Sequence, residues 1–313
     1  MKIGFFNDWQ PGVVKGNHIV DITNALKGVH AHHPQELINV IIEYFDEFKG
    51  DIEKLAAKTN GVPLDSVTIL PPVPRPEKLI CMAVNYLEGE NPAMPEIDAF
   101  LKASDTVIGD GDTVLLDPEC KATIFHHEAE LAVVIAKEAD HVKQQAAMDY
   151  VFGYTGFMDV SARGFNPRGA QSYYQAKSWR TFGPMGPFIV TKDEIPDPHN
   201  VNVRLSNNYF KFPGYNTRDM AHKIPECIEF ASRIMTLQPG DIISTGTNHQ
   251  NLGAMQEGDL IVMDIDHIGP LHVKVHDPLA REWPRGIDEA MARRMRGGGT
   301  QTAKTFDKSD DKK

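Results

Sequence analysis

An acidic pair lies at the start of one of the most apolar segments of the chain. Glu128 and Glu130 lead into the run from Leu131 to Ala136, which is short and rich in β-branched residues and therefore predicts a buried strand. Side chains alternate along a strand, so both carboxylates point the same way, with their Cα atoms roughly 7 Å apart. Two like charges in one small space need a proton or a cation, and a hard divalent ion is the usual solution.

Two further charged residues suit the same centre. The apolar run from Tyr150 to Met158 ends at Asp159, a candidate third carboxylate, and Lys177 follows in the next polar segment. A nearby ammonium would offset three carboxylates and remain free to stabilise an anionic substrate. The four side chains predict a reaction centre.

The composition and net charge of the chain limit the kinds of molecule that it is expected to bind. The chain has 313 residues, of which 41% are hydrophobic and 24% charged, and its net charge is −11. This charge argues against nucleic acid or an anionic membrane as the main partner, because such binding needs clustered Lys and Arg. The three cysteines form neither a disulfide framework nor a zinc motif, and no apolar run approaches the roughly 20 residues that span a bilayer. A cytoplasmic location is expected.

The first 70 residues predict a small α/β unit. Strands are expected at 2–6 and 18–21, a helix from Pro34 with an apolar face that continues to Phe48, and a second helix over 51–58. The proline-rich segment 71–76 is extended and stiff, so we place a domain boundary there.

The remainder predicts a β-rich unit over 71–291. Short strand patterns alternate with Gly-Asp turns, and one clear helix begins near Pro225. Residues 292–313 are expected to form a flexible tail, because they offer little to bury. The predicted fold class is α+β and β-rich.

Five motifs, in this order along the chain, resemble the fumarylacetoacetate hydrolase family. They are Glu-x-Glu at 128–130, Asp-Val-Ser-Ala-Arg at 159–163, Lys-Ser-Trp-Arg-Thr at 177–181, Leu-Gln-Pro-Gly-Asp-Ile-Ile-Ser-Thr-Gly-Thr at 237–247 and Glu-Gly-Asp-Leu-Ile at 257–261. The resemblance implies a mixed β-roll catalytic domain behind a small N-terminal domain. It also implies Mg²⁺ or Mn²⁺ on the three acids, a small keto-acid substrate and a homodimer.

The resemblance extends to the residues around the metal. It implies that Lys177 and Thr181 belong to the inner shell and that Arg163 approaches a substrate oxygen or carboxylate, a task that suits a guanidinium. A structural salt bridge between Arg163 and a core carboxylate is the alternative. Further substrate contacts are implied for Tyr86, Asn166 and Thr247.

One segment departs from the family pattern. Family members carry a short lid helix with a His and, three residues later, a Glu, whereas segment 85–92 has no histidine and is shorter. Glu88 or Glu90 is a candidate replacement base, since a carboxylate in a partly dry lid can have a raised pKa. Exposed-loop positions are the alternative for both. His126, which shares a strand face with Glu128, is the third candidate.

The predicted activity is metal-dependent hydrolysis of a carbon–carbon bond in an acylpyruvate or 2,4-diketo acid. A divalent cation would stabilise the enolate that such cleavage leaves. Decarboxylation of an oxaloacetate-like acid and keto–enol isomerisation or hydration are alternatives on the same fold. A protein that binds a metal and a keto acid with little catalysis is the alternative of another class.

Overall fold

The protein is described here from a computed structural model, which covers residues 1–89, 93–164, 172–208 and 210–296. Its strands, in chain order, are β1 Lys2–Phe6, β2 Gln10–Lys15, β3 His18–Asp21, β4 Val62–Pro63, β5 Ile69–Leu70, β6 Leu79–Met82, β7 Ala99–Leu101, β8 Val107–Ile108, β9 Thr113–Leu115, β10 Ile124–His126, β11 Ala129–Ile135, β12 Val151–Met158, β13 Ser161–Arg163, β14 Gly183–Thr191, β15 Asn202–Asn207, β16 Phe210–Lys211, β17 Tyr215–Asn216, β18 Ile242–Ser244, β19 Leu260–Ile265 and β20 Gly269–His276. The α-helices are α1 Pro34–Glu43, α2 Phe45–Lys58, α3 Gln144–Ala147, α4 Tyr173–Lys177, α5 Ile224–Ile234 and α6 Glu289–Arg296.

Within the described residues, the strands form two main sheets. The larger has 12 strands, in the order β4-β3-β2-β1-β14-β12-β11-β18-β6-β7, with β5 beside β1 and β8 beside β14. The smaller has six, in the order β16-β15-β19-β20-β9, with β17 beside β15. The β-rich α+β class predicted from the sequence is therefore confirmed.

The antiparallel pair β11 and β12 forms the centre of the larger sheet. Every residue of both strands is buried, as expected from their almost continuous apolar sequences. Gly153 allows β12 to approach β14 closely, because a Cβ there would lie 2.2 Å from the Val190 carbonyl oxygen. The pairing of Ala129 with Met158 brings the residues before β11 next to those after β12.

The two N-terminal helices differ from the predictions where they meet. The helical pattern that begins at Pro34 is interrupted at Tyr44, so α1 ends there and α2 begins at Phe45, earlier than the expected 51. Both helices still pack Ile residues on one core, which explains why the apolar pattern did not reveal the break. The helix near Pro225 is confirmed as α5.

The expected flexible tail from residue 292 is wrong for its first residues. Helix α6 continues to Arg296, and Ala292 and Met295 are buried. The apolar residues are too sparse to mark a helix by composition, yet they lie on one face, where they pack. Residues 297–313 lie outside the described part of the chain.

The predicted boundary near residue 70 does not interrupt the sheet. Strand β1 pairs with β14, so the first strands extend the sheet that contains β11 and β12. One apolar core likewise joins Ile3 and Ile41 to Val134 and Phe157. None of the described helices is long and apolar enough to cross a membrane.

A candidate metal centre and its surroundings

The structure brings the three predicted carboxylates together. Glu128 directly precedes β11, Glu130 is its second residue and Asp159 directly follows β12. The Asp159 amide donates to the Glu128 carbonyl at 2.8 Å, which extends the pairing by one step. One oxygen from each carboxylate lies within 4.8 Å of the others, and all three residues are buried.

Two cationic side chains that were predicted for the site contact these acids. The Lys177 ammonium, at the end of α4, donates to Glu128 Oε2 at 2.7 Å and to Asp159 Oδ2 at 2.5 Å. The Arg163 guanidinium donates to Glu128 Oε1, an oxygen that also accepts from the Ser161 hydroxyl. Arg163 thus forms the salt bridge to a core carboxylate that was the structural alternative, and its predicted contact with substrate stays a prediction.

Lys102 is a third cation at the site, and sequence reasoning missed it. Its fully buried ammonium donates to Asp159 Oδ1 at 2.7 Å and to the Val160 carbonyl at 3.3 Å. Lys102 directly follows β7 and lies two residues after Phe100. Phe100 itself borders the site, because the Lys177 ammonium lies 5.5 Å from its ring centroid. The available signal was a lysine at the end of a short apolar run, with the alternation that puts residues 100 and 102 on one face.

Glu130 has a different environment from the other two acids. Its Oε2 accepts from the Ser244 hydroxyl at 2.5 Å and from the Gly246 amide at 3.0 Å. Gly246 has a φ of 87°, a left-handed conformation that suits glycine. Glu130 is therefore held by neutral donors.

These environments separate the pKa values of Glu128 and Glu130. Burial would raise the pKa of Glu128, but Lys177 and Arg163 hold it well below its ordinary value. Burial, with the charges of Asp159 and Glu128, raises the pKa of Glu130 to about 8. Burial would lower the pKa of Lys177, but the carboxylates of Asp159 and Glu128 raise it. Without a metal, burial and the neighbouring charges therefore favour the protonated form of Glu130.

This donor set fits a hard divalent ion. All three candidate ligands are carboxylates, the ligand type that Mg²⁺ and Mn²⁺ prefer, and they converge on one point at the ends of two fully buried strands. A cation at that point would take the place of the proton on Glu130.

His126 lies at the site, but its ring is fully engaged. The Arg163 Nε–H donates to His126 Nδ1 at 2.8 Å, so Nδ1 is an acceptor and Nε2 carries the hydrogen, which it donates to Asp288 at 3.0 Å. The ring is completely buried. This arrangement leaves neither nitrogen for a proton transfer, contrary to the predicted role as a base, and it holds Arg163 in place.

The segment that replaces the lid is extended and anchored over residues 85–88. Asn85 donates to the Thr245 carbonyl at 2.9 Å and accepts from the His222 amide at 2.8 Å. Glu88, for which an exposed loop was the alternative, is buried and accepts from His249 Nδ1 at 2.7 Å. His249 was not predicted, because the chain separates it from Glu88 by 161 positions.

The other predicted residues occupy different places. Tyr86 is buried with its ring 4.8 Å from that of Tyr215, and its hydroxyl has no partner among the described residues. Thr247 is buried beside Tyr215. The Thr181 hydroxyl accepts from the Leu115 amide at 2.8 Å and donates to the Arg180 carbonyl, so it contacts backbone rather than the acids. Glu90 and Asn166 lie outside the described residues.

Comparison with known proteins agrees with this geometry. The family description "Fumarylacetoacetate (FAA) hydrolase C-terminal" matches residues 78–276. The chain is 37% identical over 232 residues to the mitochondrial oxaloacetate tautomerase of Rattus norvegicus, covering 71% of this chain and 73% of that protein. It is 30% identical over 292 residues to the maleylpyruvate hydrolase of Aquipseudomonas alcaligenes, covering 88% of this chain and 99% of that protein.

A solved structure shows the same fold. The maleylpyruvate hydrolase of Sphingobium sp. SYK-6, in complex with manganese(II) and pyruvate, superposes with a TM-score of 0.78 at 35% identity, covering 88% of this chain and 99% of that one. The family match spans well over half of the chain, and it includes the three acids, Lys177 and both halves of the Glu88–His249 pair. The chain belongs to the fumarylacetoacetate hydrolase family.

Proposed function

We propose that this protein is a divalent-metal-dependent hydrolase that cleaves a carbon–carbon bond in an acylpyruvate or a related 2,4-diketo acid. The observation that carries the proposal is the convergence of three buried carboxylates, within 4.8 Å, beside the ammonium of Lys177. Glu128, Glu130 and Asp159 would hold Mg²⁺ or Mn²⁺. When bound, such an ion polarises a carbonyl and stabilises the charge of a developing enolate.

The charge balance of the site supports an anionic substrate. Three carboxylates face three cations, Lys102, Arg163 and Lys177, so these charges cancel when all three acids are ionised. With a divalent ion held by these acids, the site would carry a net positive charge, which would attract a keto acid and favour the enolate more strongly still. A site of this kind binds most tightly the state in which negative charge has accumulated, as catalysis requires.

The side chains of this protein have distinct proposed tasks. Lys177 holds the developing enolate oxygen, since its ammonium is buried and already close to the ligands. Arg163, oriented by His126, binds the substrate carboxylate. Tyr86 and Thr247 line the wall on the Glu130 side, where the Tyr86 hydroxyl has no partner among the described residues.

The relatives support the hydrolase and one alternative. Maleylpyruvate is an acylpyruvate, and the manganese site of the Sphingobium enzyme is accompanied by pyruvate, a product expected of acylpyruvate cleavage. The second candidate is keto–enol tautomerisation of oxaloacetate, which the similarity to the rat enzyme favours. Both reactions form an enolate at the same carbon, and only hydrolysis consumes water.

The test is a substrate panel with the metal-loaded protein. Maleylpyruvate, acetylpyruvate, fumarylpyruvate and oxaloacetate are each supplied with Mg²⁺ or Mn²⁺, while enol absorbance and pyruvate formation are followed separately. We expect pyruvate to form from at least one acylpyruvate. Loss of the oxaloacetate enol signal without pyruvate from any acylpyruvate would replace hydrolysis with tautomerisation.

Two variants make the test specific to the metal centre. Asp159→Asn should abolish turnover and weaken Mn²⁺ binding, whereas Asp140→Asn, at a well-exposed carboxylate, should match the unaltered protein. Tight Mn²⁺ binding with no turnover of any substrate would favour a metal- and keto-acid-binding protein.

A further inference from the structure

Glu88 and His249 form a buried pair outside the metal centre. Glu88 Oε1 accepts from His249 Nδ1 at 2.7 Å, and its Oε2 accepts from the His249 backbone amide at 3.0 Å. The two side chains are 4% and 6% exposed. Each carboxylate oxygen thus has a partner on one residue, which fixes the imidazole in a single orientation.

This contact fixes the tautomer of the neutral ring. A carboxylate only accepts, so the proton of neutral His249 lies on Nδ1 and the lone pair lies on Nε2. Nε2 has no hydrogen-bond partner among the described residues, yet it is not one of the fully buried, unsatisfied atoms. The lone pair is therefore accessible. A carboxylate–imidazole pair of this geometry is a common proton-transfer device.

The pair borders the metal centre. Gly246 donates to Glu130, and His249 follows only three residues later, so Glu130 and His249 lie on one short segment. Glu88 is connected to the same acid through its own segment. It lies two residues after Tyr86, and the charge of Glu130 acts on the Tyr86 hydroxyl. His249 is also near enough to Glu128 for a positive charge on its ring to act on that carboxylate.

The other histidines near the acids do not offer this chemistry. Both ring nitrogens of His126 are engaged, by Arg163 and Asp288. His127 packs against the Phe212 ring, and its Nε2 is buried without a partner in the described part of the chain, so no carboxylate supports it as a base.

We propose that His249, oriented by Glu88, transfers the proton at the carbon next to the keto group of the substrate. The proposal rests on the proposed function in taking a keto acid as the substrate. It applies to hydrolysis and tautomerisation alike, because both reactions move a proton at that carbon. His249 is the catalytic residue, and Glu88 is a positioning residue.

In hydrolysis the proton balance is complete. His249 Nε2 takes a proton from water as the water oxygen bonds to the acyl carbon. The bond between that carbon and the methylene carbon breaks, and its electron pair stays on the methylene carbon. Nε2 then returns the proton to this carbon, which yields one pyruvate and one carboxylic acid for each water consumed. In tautomerisation of the keto form Nε2 removes a proton from the methylene carbon, and the keto oxygen gains a proton from water to give the enol. In the reverse direction the enol hydroxyl loses its proton to water and Nε2 returns a proton to the carbon.

The experiment measures proton transfer apart from bond cleavage. Deuterium incorporation into the methyl group of pyruvate is followed by NMR in D₂O with the Mg²⁺-loaded protein, and acylpyruvate hydrolysis is measured in parallel. We expect His249→Gln to slow both reactions by about 100-fold or more, the usual contribution of a general acid–base group. Mn²⁺ binding, measured by EPR, should be unchanged. The matched control is His276→Gln, which removes an exposed histidine whose Nδ1 contacts Glu257 at 3.1 Å.

A second measurement needs neither turnover nor metal. NMR of ¹⁵N-histidine-labelled, unaltered protein should show His249 with its proton on Nδ1, and in Glu88→Gln the other tautomer should appear because an amide can donate to Nδ1.

Steady-state kinetics of the metal-loaded variant tests the positioning role of Glu88. Glu88→Gln should lower kcat and leave KM unchanged, a pattern that a purely structural role would not give.

The outcomes separate this inference from the proposed function. Hydrolysis and exchange at normal rates in His249→Gln would overturn the inference and leave the hydrolase intact. Exchange that depends on His249, without hydrolysis of any acylpyruvate, would support the inference and reject the hydrolase. Loss of Mn²⁺ binding together with turnover in His249→Gln, or a proton on Nε2 in the unaltered protein, would assign the pair a structural role.

Discussion

At the scale of single residues, the site is governed by how cations are shared among the acids. Asp159 is contacted through one oxygen by Lys102 and through the other by Lys177, and Lys177 also contacts Glu128. Several buried carboxylates this close together are tolerated only when they are paired with cations and hydrogen-bonded. Each ammonium therefore stabilises the unloaded site and repels an incoming metal ion.

The two effects of Lys177 predict opposite changes in one variant. In Lys177→Gln the ligands lose a neighbouring positive charge, so Mn²⁺ should bind more tightly. Turnover should fall by about 10²–10³-fold, as when one donor to a developing anion is removed. Mn²⁺ titration by EPR and steady-state kinetics check both. Lys143→Gln, at an exposed ion pair with Glu229, serves as the control, and weaker Mn²⁺ binding in Lys177→Gln would contradict the assignment.

At the scale of secondary-structure elements, helix α6 is connected to the metal centre through Asp288, the residue directly before it. Asp288 Oδ1 accepts from the amides of Ala290 and Met291 at 3.0 and 3.1 Å, which caps the helix. Its Oδ2 accepts from His126, and His126 accepts from Arg163. A single carboxylate therefore caps the N-terminus of α6 and, through His126, orients Arg163.

Two substitutions at Asp288 separate these roles. Asp288→Ala should lose about 0.5–2 kcal/mol of unfolding free energy with the cap and should also raise KM. Asp288→Asn keeps the cap and most of the stability, but its amide would donate to His126 Nε2 and force the other tautomer, which cannot accept from Arg163. KM should therefore rise in both variants. Urea unfolding and steady-state kinetics check this, and a normal KM in Asp288→Asn would disprove the connection.

The elements also explain which parts of the site were predictable. Glu128, Glu130 and Asp159 lie at the ends of two consecutive, strongly apolar strands that pair with each other, so alternation and chain order were sufficient. Lys102 and His249 reach their partners over 57 and 161 positions, through short elements with weak local patterns. Sequence periodicity reports which face of an element is buried, and it carries no information on which distant element covers that face.

At the scale of the whole molecule, the sheet connects the N-terminal strands to the metal centre. Strand β1 pairs with β14, β14 with β12, and β12 with β11, whose ends bear the acids. The predicted small unit thus forms one flank of the sheet on which the site is built, and its core residues Ile3 and Phe5 pack in the same cluster as Phe157. The pairing of β11 with β12 in this sheet keeps the three carboxylates together although they repel.

That repulsion should appear in the stability of the metal-free protein. The folded structure raises the pKa of Glu130 from 4.5 to about 8. A raised pKa in the folded state favours folding fully at pH values below the unfolded pKa, and this contribution is lost as pH rises through the folded pKa. The unfolding free energy of metal-free protein should therefore decrease between about pH 4.5 and pH 8.

Metal binding should reverse this trend, because the ion takes the place of the proton on Glu130. Mn²⁺ at 100 times its Kd adds about 2.7 kcal/mol of unfolding free energy, and the concentration required to reach that ratio should fall as pH rises toward 8. Urea unfolding across this pH range measures how the unfolding free energy changes with pH, once with chelator and once with Mn²⁺. Glu130→Gln should flatten the metal-free slope, whereas Glu138→Gln, at an exposed carboxylate, should leave it unchanged. If the unaltered protein, Glu130→Gln and Glu138→Gln all show the same dependence of unfolding free energy on pH without metal, then Glu130 is ionised in the metal-free site. Lys102, Lys177 and Arg163 alone would then balance the charges of the acids.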